Sequence, residues 1–427
     1  MIAYSVLLPS SVARGILAFG GSGGTLVIRR REGEKLLVCT GAGNAHGEAA
    51  ESQSGFVRTF RGLDASVVGA WFRADAGCHD LWDFAIHRNQ TVPTSVLKSH
   101  LKVQAFDLHN QNATLVLTVV EDDSGDPDVR SWWVNSETAW PYFMDEYDED
   151  VDPFDLLRPG WSLDVLAQKR ITMVGLGSIG SAAFEVLLSY GLRRFTLVDP
   201  QRLQHRNLSR HRLGRNDVGR FKVAALKERY GDRYPSEDIE VLALDVELSA
   251  DVMRPLFGES DLVLASPDGV VPRRVVSHLA RRASIPAVFA AVLDDGRIGE
   301  VLRLRPDCSV GCLTCQREQL EDDGGMDLEQ RIDRGYAEAT IERPMTAVGG
   351  DLWLVGCLAA KVAVATLLEQ EGEVDQRLPG DHAVIGLRPA SDLTVPFAAS
   401  GPTDLHWHQG GPPREGCPTC FPGQRAG

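Results

Sequence analysis

The sequence predicts an α/β protein in which a doubly wound parallel sheet follows a separate N-terminal α+β domain. Three observations lead to this prediction. From Ile171 onward, short apolar segments without two-residue alternation are separated by helical stretches, which is typical of a parallel sheet covered on both faces. A glycine-rich turn follows the first of these segments. An acidic run, Met144 to Asp155, sets this region apart from a half with a different pattern.

The composition restricts the functional class. The chain has 427 residues and a formal net charge of -15, which argues against DNA or RNA as the main partner. No basic region precedes the apolar residues at the N-terminus, so we expect a cytoplasmic protein without a secretory signal. The most apolar stretch, Leu352 to Leu368, is interrupted by Lys361 and predicts a core helix, with no membrane-spanning segment.

The acidic run, together with Pro153 and Pro159, predicts a linker over residues 144–160 between domains at 1–143 and 161–427. In the first domain, apolar patterns predict the strands Gly24–Arg29, Lys35–Thr40 and Thr114–Val120. They also predict the helices Ser10–Phe19 and Thr94–Ala105. In the second, the predicted strands are Ile171–Val174, Phe195–Asp199, Glu240–Asp245, Asp261–Ser266 and Ala287–Leu293. The predicted helices between them are Ser178–Tyr190, Asp217–Tyr230 and Pro272–Ala283.

The glycine-rich turn is Gly175-Leu-Gly177-Ser-Ile-Gly180, which lies between a predicted strand and a predicted helix, as a nucleotide-binding turn requires. Gly175 permits the tight turn, Gly177 lets phosphates approach the backbone, and Gly180 allows close helix packing. The free N–H groups at the helix N-terminus attract an anion. Asp199 ends the next strand, where a carboxylate can bind ribose hydroxyls. These residues fit NAD, FAD and ATP equally.

The following segment distinguishes between these ligands. It runs Leu197-Val-Asp199 to Asn207-Leu-Ser-Arg210-His211, then Asp217-Val-Gly219-Arg-Phe-Lys222. It resembles the ThiF/MoeB/HesA and ubiquitin-activating superfamily, which implies a Rossmann-like adenylation domain. The resemblance implies that Asn207, Arg210 and Lys222 surround the ATP triphosphate. It also implies that Asp268, in Ser266-Pro-Asp268, holds Mg²⁺, and that Arg210, Lys222 and Asp268 contribute to catalysis.

The sequence departs from the family pattern at several positions. Gln201 replaces an acidic residue, His211 replaces a glutamine, and Gly269 stands where an asparagine is frequent. The N-terminal arginine motif of the family is not recognisable. Arg158 and Arg170 are candidates for that role.

Two Cys-x-x-Cys pairs, Cys312/Cys315 and Cys417/Cys420, predict a structural zinc site, because four thiolates match tetrahedral Zn²⁺. The wide separation of the two pairs is also the pattern of the resembled family. The alternative, a redox pair, lacks a thioredoxin-like context.

Activating enzymes that form a thioester carry a cysteine on the crossover loop, but residues 316–349 contain none, and the equivalent position falls on Arg343-Pro344-Met345. Cys357 lies in an apolar helix and is expected to be a buried, inert thiol. Cys308, near the first zinc pair, is the remaining candidate for a catalytic thiol.

The resemblance implies ATP-dependent adenylation of the C-terminal carboxylate of a ubiquitin-like or sulfur-carrier β-grasp protein by a homodimer. Transfer to a thiol or to an E2-like conjugating protein could follow. Alternatives are adenylation of a peptide or a tRNA base, and a weakened pseudo-adenylation scaffold. The N-terminal domain loosely resembles a JAB/MPN domain or an inactive adenylation half. The JAB metal motif is absent, so a binding or dimerisation role is expected.

Overall fold

The computed structural model describes residues 5–31, 35–44, 50–52, 57, 65–103, 114–121, 125–149, 151–231, 238–307, 309–325, 327–328 and 347–421. The chain divides into two compact units, Met1–Pro153 and Phe154–Gly427. In its described part the first unit has ten strands: β1 Ser5–Pro9, β2 Gly23–Arg31, β3 Leu36–Asn44, β4 Ala50–Glu51, β5 Ala65–Arg73, β6 Val92–Pro93, β7 Thr114–Glu121, β8 Pro127–Val134, β9 Thr138–Tyr142 and β10 Met144–Tyr147. Its helices are α1 Ser10–Ala18, α2 Ala76–His87 and α3 Thr94–Ser99.

These strands form one sheet in the order β10-β1-β3-β2-β5-β7-β8-β9-β6, with β4 paired to β3. The sheet curls, because β9 ends at Tyr142 and β10 begins at Met144 on the opposite side of this order. As a consequence, partial burial and Asp128 on β8 raise the pKa of Glu146 on β10. Most neighbouring strands are antiparallel, which differs from the parallel sheet of an adenylation half. The JAB/MPN-like assignment stays a prediction.

The predicted acidic linker over 144–160 is not a plain connection. Its first residues form β10, which pairs with β1 through Val6 and Met144. Its later residues include a 3-10 helix, Asp155–Leu157, and Phe154, whose side chain packs in the core of the second unit. Phe154 is buried in this segment, whereas Val151, Leu156 and Leu157 are exposed. Charge density alone therefore misjudged this segment.

The second unit alternates strands and helices before a final antiparallel extension. Its strands are β11 Arg170–Val174, β12 Arg194–Val198, β13 Asp238–Leu242, β14 Leu262–Ala265, β15 Ala287–Leu293, β16 Ile298–Leu304, β17 His382–Gly386 and β18 Leu405–His408. Its helices are α4 Leu163–Gln168, α5 Ser178–Ser189, α6 Lys222–Gly231, α7 Ala250–Gly258, α8 Val270–Ala283, α9 Leu313–Asp322 and α10 Gly349–Gln370. Short 3-10 helices occur at His205–Asn207, Arg215–Asp217, Asp294–Gly296 and Val374–Gln376.

The sheet order is β13-β12-β11-β14-β15-β16-β17-β18, and the first five strands are parallel. In chain order these five read 3-2-1-4-5, the doubly wound arrangement, which confirms the predicted fold class. The strand order reverses between β11 and β14, where Val174 lies opposite Ala265. Ligands of such sheets bind beyond the carboxyl ends of the strands at this reversal.

The apolar helix α10 is a core helix, as its composition predicts. It is long and apolar enough to cross a membrane, but most of its apolar window is buried within the unit. It packs against α5 and the strands β15 and β16. One side of the sheet is thereby covered next to the glycine-rich turn.

Candidate nucleotide site

The glycine-rich turn connects β11 to α5 at the point where the sheet order reverses. Gly175 has φ +84°, and a Cβ there would meet the backbone of Ser266 and Pro267 at 2.7 and 2.6 Å. A Cβ at Gly180 would lie 2.0 Å from the carbonyl oxygen of Gly175. Gly177 caps the helix and faces open space. The first and third glycines are thus required by packing, and the second leaves the helix N-terminus accessible to an anion.

The carboxylate of Asp199 holds the glycine-rich turn by hydrogen bonding. Its Oδ2 accepts a hydrogen bond from the amide of Leu176 at 2.7 Å, and its Oδ1 accepts one from the amide of Gln201 at 2.8 Å. The carboxylate is buried, yet each oxygen retains a further lone pair. Asp199 is therefore a structural support of the turn in this structure, and its binding of ribose hydroxyls stays a prediction.

His211 holds the other side of Leu176. The amide of Leu213 donates to its Nδ1 at 3.1 Å, so the proton of the neutral ring lies on Nε2, which donates to the carbonyl oxygen of Leu176 at 2.8 Å. Burial lowers the pKa of His211 to about 4. The ring is thus uncharged at neutral pH. The neutral ring offers one donor and one acceptor, so it can both donate and accept, as the glutamine of the family pattern can.

Asn207 and Arg210 occupy the segment that follows β12. Asn207 Oδ1 accepts a hydrogen bond from the amide of Gln204 at 3.0 Å and so caps a 3-10 helix, while its amide nitrogen can still donate. The carbonyl oxygen of Arg210 accepts a hydrogen bond from Trp353 Nε1 at 2.6 Å. The first turns of α10 therefore fix the backbone that carries Arg210.

Lys222 lies at the first position of α6, and its side chain is buried. Its Nζ donates to Gln201 Oε1 at 2.6 Å and lies 3.9 Å from Asp199 Oδ2. Gln201, where the family has an acidic residue, thus orients the lysine through a neutral oxygen. The carboxylate that pairs with Lys222 is Asp199, and Gln201 adds no second negative charge beside the lysine.

Asp268 follows β14, across the sheet reversal from the glycine-rich turn. It is exposed, yet its pKa is raised, chiefly because the surrounding protein withdraws water from the carboxyl group. The charge of Asp199 raises the pKa further, while Lys222 and Arg210 oppose the rise, so the predicted charged residues act on one another.

Arg273 was not predicted from the sequence, although its charge also acts on Asp268. It lies on α8 and is fully buried, and Nη1 donates to the carbonyl oxygen of Ala290 at 3.2 Å. Its partner Glu300 lies in strand β16, whose other residues are apolar or glycine except for Arg303. Charged residues in such an apolar strand were the signal that could have indicated buried ion pairs.

The four predicted zinc ligands lie together. Their sulfur atoms are within 4.8 Å of one another, and three of the separations are 3.7, 3.7 and 3.9 Å. Sulfurs about 2.3 Å from a tetrahedral Zn²⁺ are about 3.8 Å apart, so the cluster fits this ion. Backbone amides of Cys312 and Arg414 donate to the sulfurs of Cys420 and Cys315. Such donors favour the thiolate form that zinc requires.

The remaining predictions have mixed outcomes. Cys357 is exposed, so the expectation of a buried thiol is wrong: it lies on the outer side of α10, although loss of solvent still raises its pKa. Cys308 and residues 343–345 lie outside the described residues. Arg158 pairs with Asp155 and Asp164, and Arg170 pairs with Asp238 at the far end of β11 from the glycine-rich turn. Both candidate arginines are thus engaged in ion pairs within their own chain.

The model of the ThiF family matches residues 148–378, more than half of the chain. The chain belongs to the ThiF family. Among curated relatives of this ThiF-family protein is the adenylyltransferase and sulfurtransferase UBA4 of Yarrowia lipolytica, which is 32% identical over 30% of this chain and 32% of the relative. The molybdopterin-synthase adenylyltransferase of Escherichia coli is 32% identical over 32% of this chain and 54% of the relative.

The sulfur carrier protein ThiS adenylyltransferase of Escherichia coli is 25% identical over 35% of this chain and 59% of the relative. This ThiF-family chain therefore spans about a third to three fifths of the curated relatives it matches. A solved structure of E. coli MccB with AMPCPP and MccA has a TM-score of 0.45 and 18% identity, covering 61% of this chain and 68% of that one.

Proposed function

We propose that this ThiF-family protein is an adenylyltransferase for the C-terminal carboxylate of a small ubiquitin-like or sulfur-carrier β-grasp protein. The observation that carries the proposal is that Lys222 Nζ lies 3.9 Å from the Asp199 carboxylate, which holds the glycine-rich turn. Asp268 follows β14, the neighbour of β11 in the sheet, and the charges of Lys222 and Arg210 act on it. Cations and a metal-binding carboxylate at this end of the sheet suit a triphosphate better than a dinucleotide.

The reaction needs no general base, because the attacking carboxylate is already ionised at neutral pH. A carboxylate oxygen forms a bond to the α-phosphorus of ATP, the bond from that phosphorus to the bridging oxygen breaks, and pyrophosphate leaves. Negative charge grows on the phosphate oxygens during this step. Lys222 and Arg210 would stabilise that charge, and the backbone N–H groups after Gly177 would hold the phosphates in line.

Two metals enter this proposal. Mg²⁺ usually binds through one or two carboxylates together with substrate phosphates, and the exposed carboxylate of Asp268 fits this role. When bound, Mg²⁺ neutralises phosphate charge. Zn²⁺ on Cys312, Cys315, Cys417 and Cys420 would tie the C-terminal segment to α9.

The relatives support the choice of substrate class, since two of them are named as adenylyltransferases for ThiS and for molybdopterin synthase. We also propose a homodimer, which the family resemblance implies, and a cytoplasmic location, which the N-terminal sequence predicts. Transfer to a thiol or to an E2-like protein is a further possible step, for which Cys308 is the candidate within the chain. These elements are separable from the adenylation step and need their own tests.

The test is an ATP–pyrophosphate exchange assay with β-grasp proteins encoded near the gene. We expect exchange that requires both Mg²⁺ and a carrier with a free C-terminal glycine. The matched control is the same carrier with an amidated C-terminus, which should give none. Exchange with the amidated carrier, or none with any neighbouring carrier despite ATP binding, would contradict the proposed substrate.

A pseudo-adenylation scaffold is the alternative, and the replacement of an acidic residue by Gln201 is the observation that favours it. Calorimetry with Mg-ATP separates the two cases. A scaffold that has lost the site should release no heat of binding. Binding of ATP without carrier-dependent exchange would instead favour a peptide or tRNA base as the substrate.

A further inference from the structure

A buried ion cluster lies beneath the helix that begins after Asp268. Glu300 on β16 is fully buried, and its two oxygens accept hydrogen bonds from Arg317, one of them at 2.7 Å. His382 Nε2 lies 2.9 Å from Glu300 Oε1, and Arg273 Nη2 lies 3.6 Å from Oε2. We name these four residues the Glu300 cluster. The cationic partners hold the pKa of Glu300 well below its usual range despite burial.

The cluster joins elements that are distant along the chain. Arg273 lies in the first turns of α8, directly after Asp268 and Gly269. Arg317 is on α9, two residues after the zinc ligand Cys315. Its Nε also lies 3.7 Å from Asp327. Glu300 therefore connects the Asp268 end of α8 with the helix that carries the first zinc pair.

Further along, α8 is held by the zinc-binding segments themselves. The amide of Leu313 donates to Ser277 Oγ at 3.0 Å, and His278 Nδ1 lies 3.1 Å from Thr419 Oγ1. Arg282 Nη2 donates to the carbonyl oxygen of Pro418 at 2.9 Å. The C-terminal half of α8 is thus fixed by the segments that carry the two Cys-x-x-Cys pairs, whereas the Glu300 cluster fixes its beginning.

We propose that Glu300 is a positioning residue for the nucleotide site: through Arg273 it sets the start of α8 and thereby the placement of Asp268. The proposal rests on the proposed function, because it assigns Asp268 to Mg-ATP. A fully buried carboxylate with three basic partners has few alternative arrangements, since any partner left unpaired would be costly. Loss of the Glu300 carboxylate should therefore displace Arg273 and, with it, the loop that carries Asp268.

A second buried cluster in the same unit provides the matched control. Asp381 is buried, and its Oδ1 accepts hydrogen bonds from Arg303 Nε at 2.8 Å and from Arg305 Nε at 3.0 Å. Arg303 also pairs with Glu369. Arg303 lies on β16, Glu369 lies on α10, and Asp381 directly precedes β17. The cluster meets α8 at the end away from Asp268, where Arg281 Nη1 donates to the carbonyl oxygen of Arg305 at 3.1 Å. D381N removes a buried charge from an arginine cluster, as E300Q does, without touching Arg273.

The experiment compares wild type, E300Q and D381N as full-length proteins. Calorimetric titration of ATP at increasing Mg²⁺ gives the Mg²⁺ concentration for half-maximal ATP affinity, and zinc content and Tm are recorded for each protein. We expect E300Q to need about tenfold more Mg²⁺, the usual effect of losing a residue that orients a metal ligand, with unchanged zinc content. D381N should lower Tm similarly and leave the Mg²⁺ requirement unchanged.

Equal Mg²⁺ requirements in E300Q and wild type would overturn the proposal, as would an equal rise in D381N. If E300Q does not fold, H382N tests the same cluster more mildly, and we expect about a threefold rise from one lost hydrogen bond. No rise in H382N would then also overturn it. Failure of the proposed function is distinguishable, because wild type itself would then show no ATP binding at any Mg²⁺ concentration.

Discussion

His211 donates a hydrogen bond from Nε2 to the carbonyl oxygen of Leu176 in the middle of the glycine-rich turn, at 2.8 Å. The amide of the same leucine donates to Asp199, so both backbone polar groups of Leu176 are fixed by side chains. The turn is thereby shaped before any ligand binds. This preorganisation reduces the ordering that phosphate binding requires.

Stability should depend on pH through His211. Its pKa is about 4 in the folded chain against 6.5 for an ordinary histidine, so the unfolded chain binds the extra proton first. The contribution of His211 to the free energy of unfolding is complete above pH 6.5. It decreases by about 3 kcal/mol as the pH falls towards 4. Urea unfolding of wild type and H211Q between pH 4.5 and 7.5 measures it. We expect a smaller pH slope in H211Q, and parallel slopes would contradict the assignment.

Lys222→Met should reduce carrier-dependent pyrophosphate exchange about 100-fold. The substitution removes a fixed positive charge that would stabilise the negative charge developing on the phosphate oxygens. Lys227→Met is the matched control on the same helix, since Lys227 Nζ donates to the backbone oxygen of Ile239, away from the glycine-rich turn. Rates are compared at saturating ATP, with circular dichroism to verify folding. Equal losses in both variants would show that the lysine acts only through helix stability.

The cysteine cluster should bind one Zn²⁺ per chain, measured by elemental analysis of protein purified without added metal. Cys315→Ser should abolish this zinc and lower Tm by about 10 °C, because the metal cross-links α9 to the C-terminal segment. Cys39→Ser, at a buried site of the N-terminal unit, is the control and should retain the zinc. Full zinc content in the Cys315→Ser protein would refute the four-thiolate site.

Cys357 should be alkylated by iodoacetamide in the folded protein, whereas Cys39 and Cys78 should be protected. Both of the latter are buried, and burial raises their pKa values to about 12 and about 11. Peptide mass mapping after short exposure at pH 8 distinguishes these sites. Because the pKa of Cys357 is also raised, its labelling should be slow and should accelerate as pH increases. Faster labelling of Cys39 than of Cys357 would contradict the described packing.

The doubly wound core was predictable because its signals are local. The turn Gly175–Gly180 follows an apolar strand, and Asp199 and Asp268 end two others, so the order of elements fixes where they meet. The antiparallel extension was not predicted, since β16, β17 and β18 pair across long sequence separations. The same holds for Glu300, whose partners come from α8, α9 and β17.

Cys357 shows why burial was misjudged on α10. The helix is apolar nearly all round, so composition does not reveal which side meets solvent. The structure buries Val355 and Ala359 and leaves Cys357 between them on the outer side. The linker error has a similar origin, because the pairing of β10 with β1 joins residues far apart in the chain.

The curled sheet of the N-terminal unit has a consequence for association. Among its described strands the outermost are β6, which contains Pro93, and β10, which carries Asp145 and Glu146. Proline offers no N–H to a neighbouring strand, and carboxylates along an edge repel an approaching backbone. Both open edges thus discourage a foreign strand from joining the sheet. A partner of this unit should accordingly be recognised through side chains, and aggregation by edge pairing should be suppressed.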